Sequence, residues 1–190
     1  MKSSYKKNHY GNVFRALATS TKPKKIVEFG ILEAYSLTIW AESCPKTTQI
    51  SAYDIFEDFP YNAADYESIV NKFKGYSNIS INRANFFGAE DTFKDGEIDI
   101  LHIDIANDGD VYKYAIDHYM QKVSHRGICI LEGGSESRDN VYWMKEFNKT
   151  KIKPIIEEEA RRIKYDILVL EDYPSITLIT HKKGENNVTS

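Results

Sequence analysis

Four short apolar runs, each with an acid at or near its end, recur along the chain, and segments with helical spacing separate them. The runs cover residues 26–29, 49–54, 98–104 and 128–131, and their acids are Glu28, Asp54, Asp104 and Glu132. Strands that alternate with helices predict a mostly parallel sheet covered by helices on both faces. Ligands of such sheets bind beyond the carboxyl ends of the strands, where these four acids are expected to converge.

The same pattern predicts the other elements. Strands are expected at 26–29, 49–54, 79–82, 98–104, 128–131, 166–170 and 176–180, and helices at 13–18, 34–43, 62–73, 111–123 and 140–147. Phe59-Pro60 is expected to break the chain, and 89–93 to form a loop or short helix. The last two strands predict an antiparallel hairpin. Its connection, Asp172-Tyr173-Pro174-Ser175, contains proline and favours a longer loop over a two-residue turn.

Length and charge limit the class of protein. A chain of 190 residues predicts a single domain, with a core over about 10–181 and a disordered tail at 183–190. The net charge of -3 argues against a general nucleic-acid binder. No signal peptide and no apolar run long enough for a bilayer are visible, so we expect a cytoplasmic protein without membrane partners. Cys44 and Cys129 form no metal or redox motif, and Cys129 is expected to be a small buried residue.

The first strand leads into a turn suited to a nucleotide. Gly30 follows this strand, and the next helix presents unpaired N–H groups at its N-terminus. Glycine lets the backbone approach a ligand closely. The remainder of a dinucleotide fingerprint is missing after Gly30, and the chain has no G-K-[ST] phosphate loop.

These segments resemble the class I S-adenosylmethionine-dependent methyltransferases. The stretch from Glu28 to Ser36, EFGILEAYS, is similar to their first motif, E-x-G-x-x-x-G-x-S. Asp54 resembles their second-strand acid, and residues 98–104 and 127–131 resemble their fourth and fifth strands. The resemblance covers roughly residues 10–181 and is strongest to the O-methyltransferase branch that acts on small molecules and sugars. Ala34 departs from it where a second glycine is common, and Asn107 where a histidine is frequent.

The resemblance implies a fold, a cofactor and a reaction. The fold is a Rossmann-like, mostly parallel seven-stranded sheet with helices on both faces and a C-terminal antiparallel hairpin. The cofactor is S-adenosylmethionine, and the acceptor is a small polar molecule, such as a hydroxyl of a sugar or of a natural-product intermediate. The alternative is a non-catalytic module that binds S-adenosylmethionine or a nucleotide with a degenerate fold. A homo-oligomer is possible, because the chain has few residues beyond the core fold to enclose a substrate.

The resemblance also implies cofactor-binding residues, each with a structural alternative. Glu28 would contact the amino group of the methionine moiety or a water beside it; the alternative is that it caps a turn or helix. Ser36 would bind the carboxylate of the methionine moiety; the alternative is that its hydroxyl bonds to its own helix backbone. Asp54 would accept hydrogen bonds from both ribose hydroxyls, or be a solvated loop acid. Asn85 would bind the adenine amino group, or be a plain loop residue. Phe86 and Phe56 would sandwich the adenine ring, although aromatic residues at such positions more often belong to the core. The implied cofactor-binding set is Glu28, Gly30, Ser36, Asp54, Asn85, Phe86 and Asp104.

The candidate catalytic residues are Asp104, Asn107 and Glu132. Methyl transfer to oxygen requires a positioned nucleophile and a nearby base, and Asp104 is the best candidate. Two interpretations compete. In one, Asp104 and Glu132, with Asp108 or Asn107, bind a divalent cation; in the favoured one, no metal is used and the acids bind a polyhydroxylated substrate. Arg138 either grips an anionic substrate or belongs to a tight turn, and His102 is expected to be a core residue rather than a base.

Overall fold

A single mixed sheet forms the centre of the molecule. The computed structural model describes residues 4–58, 62, 64–162, 164–172 and 174–182. The sheet order is β3-β2-β1-β4-β5-β7-β6, with every pair parallel except β5–β7 and β6–β7. The predicted fold class is therefore confirmed. Phe59-Pro60, Ala63, Tyr173 and the tail 183–190 lie outside the described residues.

The strands and helices have the following bounds. The strands are β1 (Lys25–Phe29), β2 (Gln49–Asp54), β3 (Ile79–Arg83), β4 (Ile98–Ile103), β5 (Val123–Glu132), β6 (Tyr165–Leu170) and β7 (Ile176–His181). The α-helices are α1 (Tyr10–Thr21), α2 (Tyr35–Ser43), α3 (Tyr66–Phe73), α4 (Gly109–Tyr114), α5 (Glu136–Asp139), α6 (Tyr142–Glu146) and α7 (Ile152–Arg161). Short 3-10 turns lie at Ser4–Lys6, Phe56–Asp58 and Glu90–Thr92.

Apolar side chains form a separate cluster on each face of the sheet. Side chains of α1, α2 and α3 pack on one face against residues such as Ile26, Ile100 and Ile130. Side chains of α4 and α7 pack on the other face against Val27, Leu101 and their neighbours. Because successive strand residues point to opposite faces, the central strands β1, β4 and β5 each supply side chains to both clusters. This explains why the central strands are nearly continuous apolar runs.

Several helices and one strand begin or end at residues other than those predicted. Helix α3 begins at Tyr66 rather than residue 62, because the Asp65 carboxylate accepts from Ser68 N at 2.8 Å and caps it. The helix predicted to reach residue 123 ends in a π-helical turn, Ala115–Tyr119, and the longer strand β5 begins at Val123. Helix α7 was not predicted. Its first two N–H groups donate to the Asp139 carboxylate at 2.7 and 2.9 Å, a cap distant in sequence.

Helices capable of crossing a bilayer are not found within the described part of the chain.

Candidate functional site

The reversal of strand order between β1 and β4 creates the expected ligand crevice. From β1 the sheet continues through β2 and β3 on one side and through β4 and β5 on the other. Gly30 lies at this point with a φ of 92°, and a Cβ atom there would lie 2.0 Å from the Asp104 carbonyl oxygen. Only glycine fits such a close approach at positive φ. Gly30 therefore brings the ends of β1 and β4 together.

The loop after Gly30 is held by Asp54. One carboxylate oxygen accepts from Ile31 N at 2.7 Å, and the other accepts from Phe56 N at 2.8 Å and from Asn62 Nδ2 at 2.7 Å. A carboxylate has about four acceptor positions, so three of them are occupied by the protein. Asp54 thus shapes the glycine loop, and its contact with ribose hydroxyls remains a prediction.

Ala34 stands where the first motif commonly has a second glycine, and its backbone has a conformation that favours glycine. Ala34 has a φ of 56° and Leu32 a φ of 47°, both in the left-handed region. Side chains with a Cβ atom enter this region at a cost of roughly 1–2 kcal/mol. The loop keeps a glycine-type conformation although alanine occupies the position.

Glu28 lies fully buried near the carboxyl end of β1. Its Oε1 accepts from the Ser36 hydroxyl at 2.5 Å and lies 3.6 Å from His102 Nδ1. Its Oε2 is buried and has no hydrogen-bond partner among the described residues. A buried carboxylate oxygen without a donor is costly, so a cation or a donor water fits this position. The binding of cofactor by Glu28 and Ser36 remains a prediction.

The predicted adenine residues lie farther along the same edge. Phe86 is 3% exposed, and its ring stacks on Tyr119 at 4.8 Å. Phe56 is fully buried, and the Asn85 Oδ1 atom accepts from Phe87 N at 3.0 Å. The accessible aromatic side chain of this loop is Phe87, which is 46% exposed. The roles of Asn85 and Phe86 toward adenine therefore stay predictions.

Asp104 follows β4 and is the partly exposed acid of the cluster. Its pKa is raised to about 7, first by burial and then by the nearby Glu132 carboxylate, while His102 and Tyr5 oppose the rise. A carboxyl group with this pKa exchanges protons near neutral pH. That is the property required of a general base.

Glu132 and Asn107 are engaged by the protein itself. Arg138 Nε donates to both Glu132 oxygens at 2.8 and 3.0 Å, and Arg138 Nη2 donates to Asn107 O at 2.9 Å. Burial raises the pKa of Glu132, and the Arg138 guanidinium opposes the rise. The Asn107 amide donates to Ile103 O and Glu132 O, each at 2.9 Å. These contacts favour positioning roles for both residues, and their participation in catalysis remains a prediction.

The donor set fits a divalent cation poorly. Within the described residues no group of three His, Cys, Asp or Glu side chains could hold one. Glu132 would have to exchange its guanidinium partner for the metal. Asp108 caps α4 through one oxygen and pairs with Lys149 through the other at 3.1 Å. The acids of this edge are thus better suited to hydrogen bonding than to metal ligation.

Tyr5 is a part of the site that the sequence did not predict. Its side chain is fully buried, and its hydroxyl lies 3.1 Å from His102 Nε2. Asn8 Nδ2 and the Tyr10 hydroxyl fix the same segment to the backbone carbonyls of residues 170, 172 and 174. Nothing local in the polar N-terminal segment indicates a contact 97 residues away.

Solved structures with this fold include several methyltransferases. The SAH-bound methyltransferase PaMTH1 of Podospora anserina is 18% identical, with a TM-score of 0.69 over 96% of this chain and 80% of its own. The O-methyltransferase TomG of Streptomyces achromogenes, in complex with SAM, is 15% identical, with a TM-score of 0.69 over 92% and 80%. An O-methyltransferase of Bacillus cereus, in complex with SAH, is 13% identical, with a TM-score of 0.69 over 92% and 81%.

No protein-family model matches the chain, and no curated protein matches it in sequence. The structural similarity nevertheless extends over nearly the whole chain. The chain therefore has the fold of S-adenosylmethionine-dependent O-methyltransferases, and the predicted resemblance is confirmed at the level of the fold.

Proposed function

We propose that this protein is an S-adenosylmethionine-dependent methyltransferase that methylates a hydroxyl group of a small polar acceptor. The observation that carries the proposal is the buried Glu28 oxygen, which has no donor among the residues that the structure describes and lies near Gly30 at the reversal of the strand order. A positively charged amino acid moiety, or a water that it orders, would satisfy this oxygen. The structures with bound SAM or SAH support the choice of cofactor.

The residues of this chain would have the following roles in binding and methyl transfer. When bound, S-adenosylmethionine supplies an activated methyl group. Glu28 and the backbone around Gly30 would bind and orient the methionine end, and Asp54 the ribose. Asp104 would accept the proton of the acceptor hydroxyl, since its pKa of about 7 makes it both available and sufficiently basic. Arg138 and Asn107 would hold the loops on either side of the acceptor.

The acceptor class is the finer part of the proposal. Asp104 and Asp110 present carboxylates that are at least partly exposed at this edge. Carboxylates accept hydrogen bonds from neighbouring hydroxyls, so a polyhydroxylated acceptor is suited to them. A sugar or a hydroxylated natural-product intermediate meets this requirement.

Calorimetric titration with S-adenosylhomocysteine tests the cofactor site. We expect micromolar binding to the wild type and a loss of about tenfold or more in Glu28→Gln and Asp54→Asn, because each removes a charge-assisted contact. Asp95→Asn is the matched control, since this side chain is 70% exposed and pairs with Lys122. A wild-type protein that does not bind S-adenosylhomocysteine overturns the proposal.

Transfer of a labelled methyl group to a panel of sugars and hydroxylated small molecules tests the reaction. Asp104→Asn should fail to transfer methyl groups even at a concentration of S-adenosylmethionine that saturates the variant. Normal transfer by this variant would exclude Asp104 as the base.

A further inference from the structure

A cavity lies at the edge of the sheet opposite to the candidate cofactor crevice. There β5 and β6 begin and β7 ends, and the cavity has a volume of about 660 Å³. Its lining residues are His125, Arg126, Gly127, Asp166, Thr180 and His181. Thr180 pairs with Ile128, and Ile176 pairs with Glu132, so four residues of regular strand, roughly 13 Å, lie between this cavity and Glu132. The cavity is therefore separate from the groups proposed for methyl transfer.

The charged side chains at this cavity are not paired with one another. Arg126 and Asp166 are exposed, and no ion pair joins either of them to another residue in the part of the chain that the structure describes. Lys164 and Lys182, whose backbones share a hydrogen bond of 3.4 Å beside the cavity, are also exposed and outside any ion pair of the described residues. Three cations thus surround one carboxylate, which makes the cavity attractive to anions.

Other lysines at the same edge of the sheet are paired. Lys25 Nζ lies 2.5 Å from Glu97 Oε1, and Lys122 Nζ lies 2.8 Å from Asp95 Oδ1. The excess of positive charge is therefore a property of the cavity and its rim, rather than of every lysine along this edge.

The two histidines give the cavity a fixed wall. His181 Nε2 lies 3.0 Å from Val123 O, and Nε2 is the donor because a carbonyl oxygen only accepts. The His125 ring packs against the His181 ring with centroids 5.2 Å apart, and the buried Tyr165 ring packs against His181 at 5.7 Å. A wall held in this way before a ligand arrives lowers the entropy cost of binding.

The lining fits a ligand that carries both an anionic group and hydroxyl groups. The Arg126 guanidinium can donate to two oxygens of a phosphate at once. The Asp166 carboxylate repels a simple anion but accepts hydrogen bonds from hydroxyls, and the Thr180 hydroxyl can donate or accept. A phosphate ion alone leaves most of the cavity empty, whereas cavities of about 300–1,000 Å³ suit small organic ligands.

We propose that this cavity binds a phosphorylated sugar or polyol, with Arg126 on the phosphate and Asp166 on the hydroxyl groups. Glucose 6-phosphate, glucose and inorganic phosphate are the probes, added at constant ionic strength because salt screens exposed charges. Nuclear magnetic resonance of the ¹⁵N-labelled protein reports both the affinity and the place of binding.

Glucose 6-phosphate should shift the backbone amide signals of Gly127, Thr180 and His181 and leave that of Gly30 unchanged. Inorganic phosphate should shift the same signals with an affinity lower by about tenfold, because it lacks the sugar hydroxyls, and glucose should shift none of them. No shifts with glucose 6-phosphate, or shifts confined to the Gly30 edge, would overturn the inference.

Variants assign the two recognition roles. Arg126→Gln should weaken glucose 6-phosphate and inorganic phosphate by about tenfold or more, because it removes the charged donor. Arg15→Gln is the matched control, since this arginine lies on α1 with a side chain that is 51% exposed, and it should bind both probes as the wild type does. Unchanged affinity in Arg126→Gln, or an equal loss in Arg15→Gln, would overturn the inference.

Asp166→Asn separates the phosphate from the sugar. It removes a repelling charge, so inorganic phosphate should bind more tightly, while the preference for glucose 6-phosphate over inorganic phosphate should fall. An unchanged preference would contradict the assignment of Asp166 to the hydroxyl groups.

The inference is independent of the proposed function. Arg126→Gln should bind S-adenosylhomocysteine as the wild type does, because the two sites lie at opposite edges of the sheet. A wild type that binds glucose 6-phosphate at the cavity but does not bind S-adenosylhomocysteine would overturn the proposed function and support this inference.

Discussion

Removing the Arg138 guanidinium should destabilise the protein strongly, because it leaves a buried carboxylate without its partner. The Arg138 and Glu132 side chains are 5% and 9% exposed, and Nε bonds to both carboxylate oxygens. Loss of one member of such a pair costs about 3–5 kcal/mol. For a chain of this size, this corresponds to a melting temperature lower by roughly 6–20 °C in Arg138→Met.

The stability lost in Arg138→Met should be larger at high pH than at low pH. Burial raises the pKa of Glu132, and in Arg138→Met no guanidinium opposes it. A carboxyl group whose pKa is higher in the folded state than in the unfolded state leaves the free energy of unfolding unchanged only at pH values below its unfolded pKa. Its cost to stability grows as the pH rises through the folded pKa. Arg138→Met should therefore be closer to the wild type at pH 5 than at pH 8.

Urea unfolding at both pH values measures the effect. Lys113→Met is the matched control, because its ion pair with Asp117 is exposed and contributes about 0.3–0.5 kcal/mol. The double variant Glu132→Leu/Arg138→Met removes both charges and should recover most of the stability. A loss below about 1 kcal/mol in Arg138→Met, equal at pH 5 and pH 8, would refute the reasoning.

Three further substitutions, and Gly96→Ala as a control for the first of them, test the site and its supports. Gly30→Ala should lower the free energy of unfolding by about 3 kcal/mol or more, because of its positive φ and the contact with Asp104 O. Gly96→Ala, with a φ of 68° and no atom near its Cβ, should cost about 1 kcal/mol in the same urea titration. Asp139→Ala should cost about 1–2 kcal/mol through loss of the α7 cap, and a loss below a few tenths would contradict the capping role. Asp104→Asn should stabilise the protein more at pH 8 than at pH 5, because burial raises the Asp104 pKa to about 7 and penalises the charged carboxylate at high pH. Thermal unfolding at the two pH values measures this difference. An equal effect at both pH values would contradict the prediction.

The architecture was predictable because its signals are local. Each central strand is a short apolar run, and the acids at the ends of these runs share one edge through the parallel arrangement alone. Helix α7 was missed although Ile152, Ile155 and Ile156 have helical spacing, and the Asp139 cap that starts it lies 13 residues earlier.

The contacts within the site were less predictable because they are non-local. Asp54 was expected to face a ligand, and its oxygens also hold the loop after Gly30. Arg138 was weighed as a substrate contact, and it instead forms a buried pair with Glu132. Tyr5 reaches His102, which is 97 residues away in the sequence, so no local spacing could have indicated the contact. Sequence patterns located the edge of the sheet, and only the folded structure shows which side chains bind one another there.

The most direct test of the central claim is a crystal structure of the protein with S-adenosylhomocysteine. The account predicts electron density at the carboxyl edge between β1 and β4, with the amino group, or a water that it orders, within hydrogen-bonding distance of Glu28 Oε2. The opposite edge holds a surface cavity of about 660 Å³ lined by His125, Asp166 and His181 among others. Density there, with none beside Gly30 and Glu28, would contradict the account.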